Sequence, residues 1–118
     1  MNLFDTTQLG LQSAISGAGM RQATIAGNIA NANTPGYRRK DVDFHTTLRA
    51  ALMSDAPMDA VNAATFSPAT ATTGPMRADG NAVDIDVESA AMAANGLEYE
   101  TLLAVAKGRT DILRSAMG

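Results

Sequence analysis

The chain contains no cysteine and no tryptophan, and it has a single histidine. The absence of cysteine excludes disulfides, zinc–thiolate sites and a thiol nucleophile. His45 lies in no serine or acidic pattern that would make it a general base, and the sequence holds no phosphate-binding loop. We therefore predict that the protein is not an enzyme, has no catalytic residues and uses no metal or cofactor.

Aromatic residues and long apolar runs are also scarce. Aromatic residues make up 4% of the chain, although hydrophobic residues make up 46%, and alanine supplies much of that share. This composition suits a thin seam between helices better than a thick core. No apolar run approaches the roughly 20 residues of a membrane-spanning helix, so we do not expect the chain to cross a membrane.

The charge balance and the first residues argue against two further classes of protein. The net charge is −3, which does not favour binding to nucleic acid or to an anionic membrane. The first residues lack the basic region and the continuous apolar region of a cleaved secretory signal. The expectation is a protein that is cytosolic or is exported without a cleaved signal peptide.

The N-terminal part of the chain carries a seam of apolar residues at helical spacing. Its members follow alternating steps of four and three, which predicts an amphipathic helix from about residue 6 to 32 with Asp5 as its N-cap. Gly17 and Gly19 lie inside this helix, where they indicate either close approach of another backbone or a locally weak helix. The seam is too narrow to bury the helix alone, so a partner helix is expected. The residues expected to pack are Leu11, Ile15, Ile25 and Ile29.

An asparagine-rich corner, residues 28–37, closes this helix. Pro35 disfavours helical geometry at Thr34 and predicts the helix end, and Pro35-Gly36 suits the two central positions of a type II turn. Three cations follow at residues 38–40. Because the chain is acidic and this patch is short, we interpret it as a solvated or partner-facing loop rather than a nucleic-acid site.

The middle of the chain gives weaker signals. Phe44, Leu48 and Leu52 predict a short helical face, whereas residues 54–76 show no period and hold most of the prolines, which predicts an irregular segment. The alternation that begins at Val83 predicts a short extended stretch, preceded by a turn. Its acidic residues favour the start of a following helix over a calcium loop, because the glycine position of an EF-hand does not match.

The C-terminal stretch, residues 88–118, carries two adjacent seams at helical spacing. A helix with two such faces packs on two neighbours. The N-terminal helix offers one of them, and no other segment of the chain looks able to supply the second. The residues expected to pack are Met92, Tyr99, Leu102, Leu103, Val105, Ile112 and Leu113.

Together these patterns predict a mainly α fold. Long N- and C-terminal helices pair as an antiparallel-type helical hairpin or coiled coil around an irregular middle segment, with a short β-turn or strand stretch near 77–87. The predicted divisions are an N-terminal inner helix (1–34), a turn, basic loop and irregular segment (35–87) and a C-terminal inner helix (88–118), which form one assembly domain. So small a core is marginal alone, and further stability is expected from packing against other chains.

The residues of the corner resemble a known signature. The sequence of residues 28–37 is similar to the N-terminal motif of the bacterial flagellar rod and hook family, and residues 79–84, which lead into the last helix, resemble its proximal rod members. The resemblance covers about residues 8–48 and 77–117. The short middle segment leaves no room for the outer domains of the hook and distal rod members. The motif residues are Asn28, Asn31, Asn33, Thr34, Pro35, Gly36, Tyr37, Asp79, Gly80 and Asn81.

The resemblance implies a structural subunit of the proximal rod of the flagellar basal body, which transmits torque from motor to hook. It implies packing with other copies of the chain, with other proximal rod proteins, and with the adaptor that joins the rod to the membrane ring and the ring itself. It also implies passage through the flagellar type III export apparatus, without a cleaved signal peptide, to the periplasm-spanning rod. The alternatives are a sister proximal rod subunit, and a helical adaptor or secreted protein of a type III system.

The resemblance and the narrow seams together suggest a mechanism of coupled folding and assembly. The terminal helices are expected to be largely disordered in the free chain, which suits passage through a narrow channel, and to order when neighbours supply the missing faces. In the corner, the three asparagines are expected to hydrogen-bond neighbouring backbones.

Overall fold

The computed structural model describes residues 3–71 and 83–118. The motif residues Asp79, Gly80 and Asn81 lie outside the described residues. Long helices at the two ends of the chain confirm the predicted mainly α fold. The elements are α1 (Leu3–Ala30), β1 (Lys40–Asp41), α2 (Phe44–Leu52), α3 (Pro57–Ala63), β2 (Ala69–Thr70) and α4 (Ile85–Ala116).

The helices α1 and α4 pack against each other in antiparallel orientation. Asn28 contacts Glu88, and Gln22, earlier in α1, contacts Asn95, later in α4. The molecule measures 59 × 30 × 15 Å along its principal axes, and its radius of gyration is 17.2 Å. A compact chain of this length would have a radius of gyration of about 13.5 Å. The protein is therefore an elongated hairpin with little interior. No helix in the described ranges has the length and apolar character needed to cross a membrane.

The small core lies where α1 meets the residues that lead into α2. Ala18, Val42 and Phe44 are almost fully buried there. Gly17 faces the ring of Phe44, and a Cβ atom at Gly17 would lie 2.6 Å from the Cβ of Phe44. The close neighbour of this glycine is therefore an aromatic side chain and not a second backbone. Partly buried residues surround the core: Ala14, Met20, Phe66, Tyr99 and Leu102.

Helix α2 follows the short helical face predicted for it. Asp43 caps the helix by accepting a hydrogen bond from the backbone N–H of Thr46 at 3.3 Å. Phe44 and Leu48 are buried on one side of α2, whereas Leu52, at the end of the face, is 39% exposed. The three residues occupy one stripe because they recur every four positions.

The segment 54–76 is more regular than predicted, in the part that the structure describes. Pro57 begins α3. Its fixed φ angle suits the first turn of a helix, where a backbone N–H would have no acceptor within the helix, so the missing N–H costs nothing. Val61 is the buried residue of this helix. Farther on, β2 pairs antiparallel with β1, with Lys40 opposite Thr70. The sequence shows no period here because each element is shorter than the window that reveals one.

The first turn of α4 corrects the last part of the extended stretch predicted near 77–87, at residues 85–87; residues 77–82 lie outside the described residues. Asp84 is the N-cap, and its Oδ1 accepts hydrogen bonds from the backbone N–H groups of Asp86 and Val87 at 3.0 and 3.3 Å. The helix therefore begins at Ile85 rather than Glu88, and Ile85 and Val87 are exposed residues of its first turn. The Asp84 side chain stabilises the start of the helix because it accepts hydrogen bonds from two N–H groups that would otherwise lack a partner. The short apolar alternation from Val83 to Val87 is too weak a signal to override this cap.

The start of α1 also differs from its prediction. The helix begins at Leu3, so that Asp5 lies in its first turn and not at the N-cap. An acidic residue in the first turn still interacts favourably with the positive end of the helix dipole.

Candidate functional site

The corner after α1 contains a type II turn, as the sequence predicts. The backbone N–H of Tyr37 donates to the carbonyl of Thr34 at 3.2 Å, and Gly36 has a φ angle of +75°. A residue with a Cβ atom is strained in that region of φ, which explains the glycine. The turn reverses the chain and places residues 37–42 beside α1. We call residues 37–42 the returning segment.

Asn28 joins this returning segment to both long helices. Its side chain is fully buried. Its Nδ2 donates to the carbonyl of Lys40 at 2.8 Å and to Oε2 of Glu88 at 3.3 Å. Its Oδ1 accepts from the N–H of Lys40 at 2.9 Å and from the hydroxyl of Tyr37 at 3.1 Å. Because both donors and the acceptor are used, neither aspartate nor leucine could replace asparagine here without leaving a buried group unpaired.

Glu88 is the buried charge of the same cluster. The residue is 1% exposed, and its Oε1 accepts a hydrogen bond from Nε of Arg39 at 2.5 Å. The carboxylate is thus neutralised by Arg39 and hydrogen-bonded by Asn28, which offsets the large cost of removing it from water. We call Asn28, Tyr37, Arg39 and Glu88 the corner cluster. Arg39 therefore has a partner within its own chain, unlike the solvated or partner-facing cation that the sequence suggested.

A second ion pair holds the returning segment against the middle of α1. Nε of Arg21 lies 2.9 Å from Oδ1 of Asp41, and the N–H of Val42 also donates to that oxygen at 2.7 Å. Partial burial raises the pKa of Asp41, but hydrogen bonds from Arg21 and Val42 and the charges of Arg21 and Arg39 lower it by more. The pKa of Asp41 therefore lies below its ordinary value of 3.8.

Among residues 28–37, the remaining motif residues divide into one that closes α1 and a group at the surface. Nδ2 of Asn31 donates to the carbonyl of Gly27 at 2.8 Å, and its Oδ1 accepts from the hydroxyl of Thr34 at 3.2 Å. Asn28 and Asn31 therefore bond nearby backbone groups of their own chain, those of Lys40 and Gly27. The exposed residues of the motif are Asn33, Thr34, Pro35 and Gly36.

The predicted packing residues on α1 and in α4 up to Leu102 are buried or half-buried. Ile25 is 1% exposed. The others are half-buried, because each helix covers only one side of its partner. These half-buried residues are Leu11, Ile15, Ile29, Met92, Tyr99 and Leu102.

The predicted packing residues of α4 from Leu103 onward are exposed. Leu103 and Leu113 are 44% exposed, Val105 is 48% exposed and Ile112 is 69% exposed. Met117, just after the helix, is 86% exposed. We call these five residues the distal apolar surface. Single exposed apolar residues are ordinary on soluble proteins, whereas larger exposed apolar patches are typical of surfaces that bind other molecules.

Several important residues were not among those that the sequence singled out. The pairing of Arg39 with Glu88, and of Arg21 with Asp41, joins residues that are far apart along the chain, so no local pattern contains them. Asn95 is different, because it occupies a position of an apolar seam. An asparagine at such a position is itself a signal of a buried hydrogen bond.

The chemistry of the site is that of packing and hydrogen bonding. Within residues 3–71 and 83–118 there is no group of three or more histidine, cysteine, aspartate or glutamate side chains that could hold a metal ion. His45 is exposed, and its Nε2 lies 2.6 Å from Oε1 of Glu98 in an ion pair or hydrogen bond. Its ring stacks on that of Phe44.

Comparisons of this chain with a family model and with individual proteins agree on one family. A model of the family described as "Flagella basal body rod protein" matches residues 11–38, which include most of α1 and the corner. The chain is 34% identical to the flagellar basal body rod protein FlgB of Escherichia coli (strain K12), over 83% of each chain. It is 32% identical to FlgB of Salmonella typhimurium over 87% of this chain and 89% of that protein. It is 27% identical to FlgB of Bacillus subtilis over 99% of this chain and 97% of that protein. The chain therefore belongs to the FlgB family of flagellar basal body rod proteins.

Proposed function

We propose that this chain is a structural subunit of the proximal rod of the flagellar basal body, and that it assembles by packing its terminal helices against neighbouring rod subunits. In this role it carries torque from the motor to the hook through non-covalent contacts. Family membership supports the rod assignment. The observation that supports this mode of assembly is the distal apolar surface, whose residues are exposed in the single chain.

The distal apolar surface needs a partner of matching character. Each large aliphatic side chain contributes about 1.5–3 kcal/mol when it passes from water into an apolar interface. Burying several such residues of α4, in every subunit along a rod, offsets the small core of the single chain. The partners we propose are other copies of this chain and other proximal rod proteins, with the rod-to-ring adaptor and the ring at the end of the rod.

We expect the two ends of the hairpin to differ in how well they are folded before assembly. The corner cluster is complete within one chain, so residues near Asn28 and Glu88 hold their conformation without a partner. The second half of α4 lacks cover on most of its surface, and we propose that it folds fully only on assembly. A chain that is partly unfolded before assembly is suited to passage through the flagellar type III export apparatus without a cleaved signal peptide.

A structural role also accounts for the chemistry of the described residues. The buried polar groups are engaged in hydrogen bonds that hold the fold, with Asn95 Oδ1 as an exception. The relatives are rod proteins and not enzymes. We propose that this chain likewise has no catalytic activity.

The test is to place one charge on the distal apolar surface. Leu103→Asp should abolish rod assembly and swimming, because a buried unpaired carboxylate opposes the interface, while the chain is still exported. Ile29→Asp, at a half-buried residue of α1, should also abolish rod assembly, in this case because the charge weakens the hairpin of the single chain. Rod assembly is measured by electron microscopy of isolated basal bodies, swimming in soft agar, and export by immunodetection outside the cytoplasm.

The matched control is Ala104→Asp, which adds the same charge at the neighbouring exposed position of α4. It should leave swimming and rod assembly close to normal. Normal swimming in the Leu103→Asp strain would contradict the proposed interface. Intact basal bodies that contain no trace of the native chain would contradict the rod assignment itself.

A further inference from the structure

Only two residues of α4 are fully buried, and both are polar. Glu88 and Asn95 are each 1% exposed. They lie one heptad apart and therefore on the same face of the helix. Helices that pack on one another ordinarily bury apolar residues along that line. In α4 the large apolar residues lie half-buried beside this line or exposed to solvent.

Asn95 makes two hydrogen bonds to α1. Its Nδ2 donates to the main-chain carbonyl of Ala18 at 2.9 Å and to Oε1 of Gln22 at 2.8 Å. Its Oδ1 is buried and has no hydrogen-bond partner among the described residues. A buried oxygen without a partner opposes folding. Asparagine is therefore not the residue that would stabilise this position most.

The rest of the seam discriminates poorly between alternative pairings. Apolar residues recur on α1 at the same four-three spacing, and α4 is rich in alanine. By counting from Gln22 and Asn95, a slip of one heptad would keep Ile25, Ala18 and Leu11 opposite apolar residues, although it would bring Ile15 opposite Arg109. The same slip would remove Asn95 from Ala18 and Gln22, and would leave its buried amide without partners. A single buried polar residue selects the register of paired helices for this reason.

We propose that Asn95, together with Glu88, sets the register in which α4 pairs with α1. One heptad corresponds to roughly 10 Å along a helix. The register therefore fixes how far the second half of α4 extends relative to α1, and which apolar residues it displays. The proposal concerns the hairpin of a single chain, and it holds or fails independently of the rod assembly.

Engineered disulfides can report the register directly, because the chain has no native cysteine. Counting equal numbers of residues along the two antiparallel helices from Gln22 and Asn95 places Ile25 opposite Met92. Tyr99 lies one heptad farther along α4, and all three positions are in the covered part of the hairpin, which holds its conformation without a partner. The double variant Ile25→Cys/Met92→Cys reports the native register, and Ile25→Cys/Tyr99→Cys reports the slipped one. Each pair is equilibrated in a glutathione redox buffer on the purified full-length chain.

In the otherwise native chain, the first cysteine pair should form its disulfide much more readily than the second. Gln22→Leu combined with Asn95→Leu replaces both side chains of the layer by apolar ones. Helical content, measured by far-UV circular dichroism, should be retained or increased. The preference for the native register should fall by roughly five- to tenfold, as expected for the loss of about one net hydrogen bond.

The matched control is Asn62→Leu, which makes one of the same substitutions at an exposed asparagine of α3. It should leave the register preference unchanged. An unchanged preference in the double-leucine chain would overturn the proposal, as would equal oxidation of the two cysteine pairs in the native background. Loss of helical content in the double-leucine chain would also overturn it, because the layer would then stabilise the hairpin rather than select its register.

Discussion

At one end of the hairpin, Asn28 and Glu88 are buried and bonded to groups of their own chain, whereas near the other end Ile112 and Met117 are 69% and 86% exposed. At the corner end the buried groups are polar and are paired within the chain, and only Ile85 and Val87 expose large apolar side chains in the first turn of α4. The distal end is apolar and open. A buried polar cluster fixes geometry because every group needs its partner, and an apolar surface tolerates any partner of suitable shape. The difference indicates a division of roles, in which the corner holds the shape of the subunit and the distal end supplies adhesion.

The largest effect on stability should come from breaking the corner cluster at its buried charge. Glu88→Ala leaves Arg39 and Asn28 without their shared partner, and we expect a loss of about 3 kcal/mol in the free energy of unfolding. Urea denaturation followed by circular dichroism measures it. The control is Asp111→Ala, which breaks the exposed pair with Lys107 and should change the free energy by no more than about 0.5 kcal/mol. Equal effects of the two variants would remove the distinction between the ends.

Asn28→Ala should have the next largest effect. It removes the side chain that bonds Tyr37, Lys40 and Glu88, and the groups left behind should lower the free energy of unfolding by about 2–3 kcal/mol. Asn33→Ala, at an exposed residue of the same motif, should change it by no more than about 0.5 kcal/mol. The same denaturation measurement compares them. If Asn33→Ala were the more damaging variant, the contacts of Asn28 would not explain the corner.

Two glycines of α1 separate packing from helix propensity. Gly17→Ala places a Cβ atom 2.6 Å from two atoms of Phe44, and forcing Phe44 to move should cost about 1–3 kcal/mol, more than alanine gains in helix propensity. Gly27→Ala meets no atom within 4 Å and should stabilise the chain by up to about 1 kcal/mol. Thermal unfolding should therefore show shifts of opposite sign. A higher melting temperature for Gly17→Ala would mean that Phe44 does not require the glycine.

Acid should weaken the attachment of the returning segment through Asp41. The folded-state pKa of this carboxyl lies below the unfolded value, which is near 3.8. Asp41 therefore contributes stability above pH 4 or so, and that contribution is lost as the pH falls through the lowered pKa. Asp41→Asn should lower stability at pH 7 and flatten the acid side of the profile of unfolding free energy against pH. Parallel profiles for the native and variant chains would rule out this role.

The smallest effect on the stability of the single chain should come from the distal end. Ile112→Ser replaces an exposed side chain, so the free energy of unfolding should stay within about 0.5 kcal/mol of the native value. The same variant should weaken rod assembly if the distal apolar surface binds a neighbour. Unfolding of the purified chain and swimming of the variant strain give the two readouts. A large loss of stability would show that Ile112 is covered within the single chain.

The local elements of the fold could be predicted from local sequence. The type II turn follows from Pro35-Gly36, and α2 follows from the spacing of Phe44, Leu48 and Leu52. The start of α4 was missed because the sequence shows the Val83 alternation and the Asp84 cap together. Only the folded chain shows that the Asp84 cap determines the structure of residues 85–87, which are helical.

The amino-acid sequence by itself determined the two long helices, the turn between α1 and its return, and the family motif, because each depends on residues that are near in the chain. The tertiary structure alone decided that Arg39 neutralises Glu88, that Asn28 links three segments, and that Asn95 reaches a backbone carbonyl of α1. It also decided which apolar residues of α4 remain exposed. These outcomes depend on the relative position of segments far apart along the chain, and hydrogen bonds and burial are defined only once those segments have met.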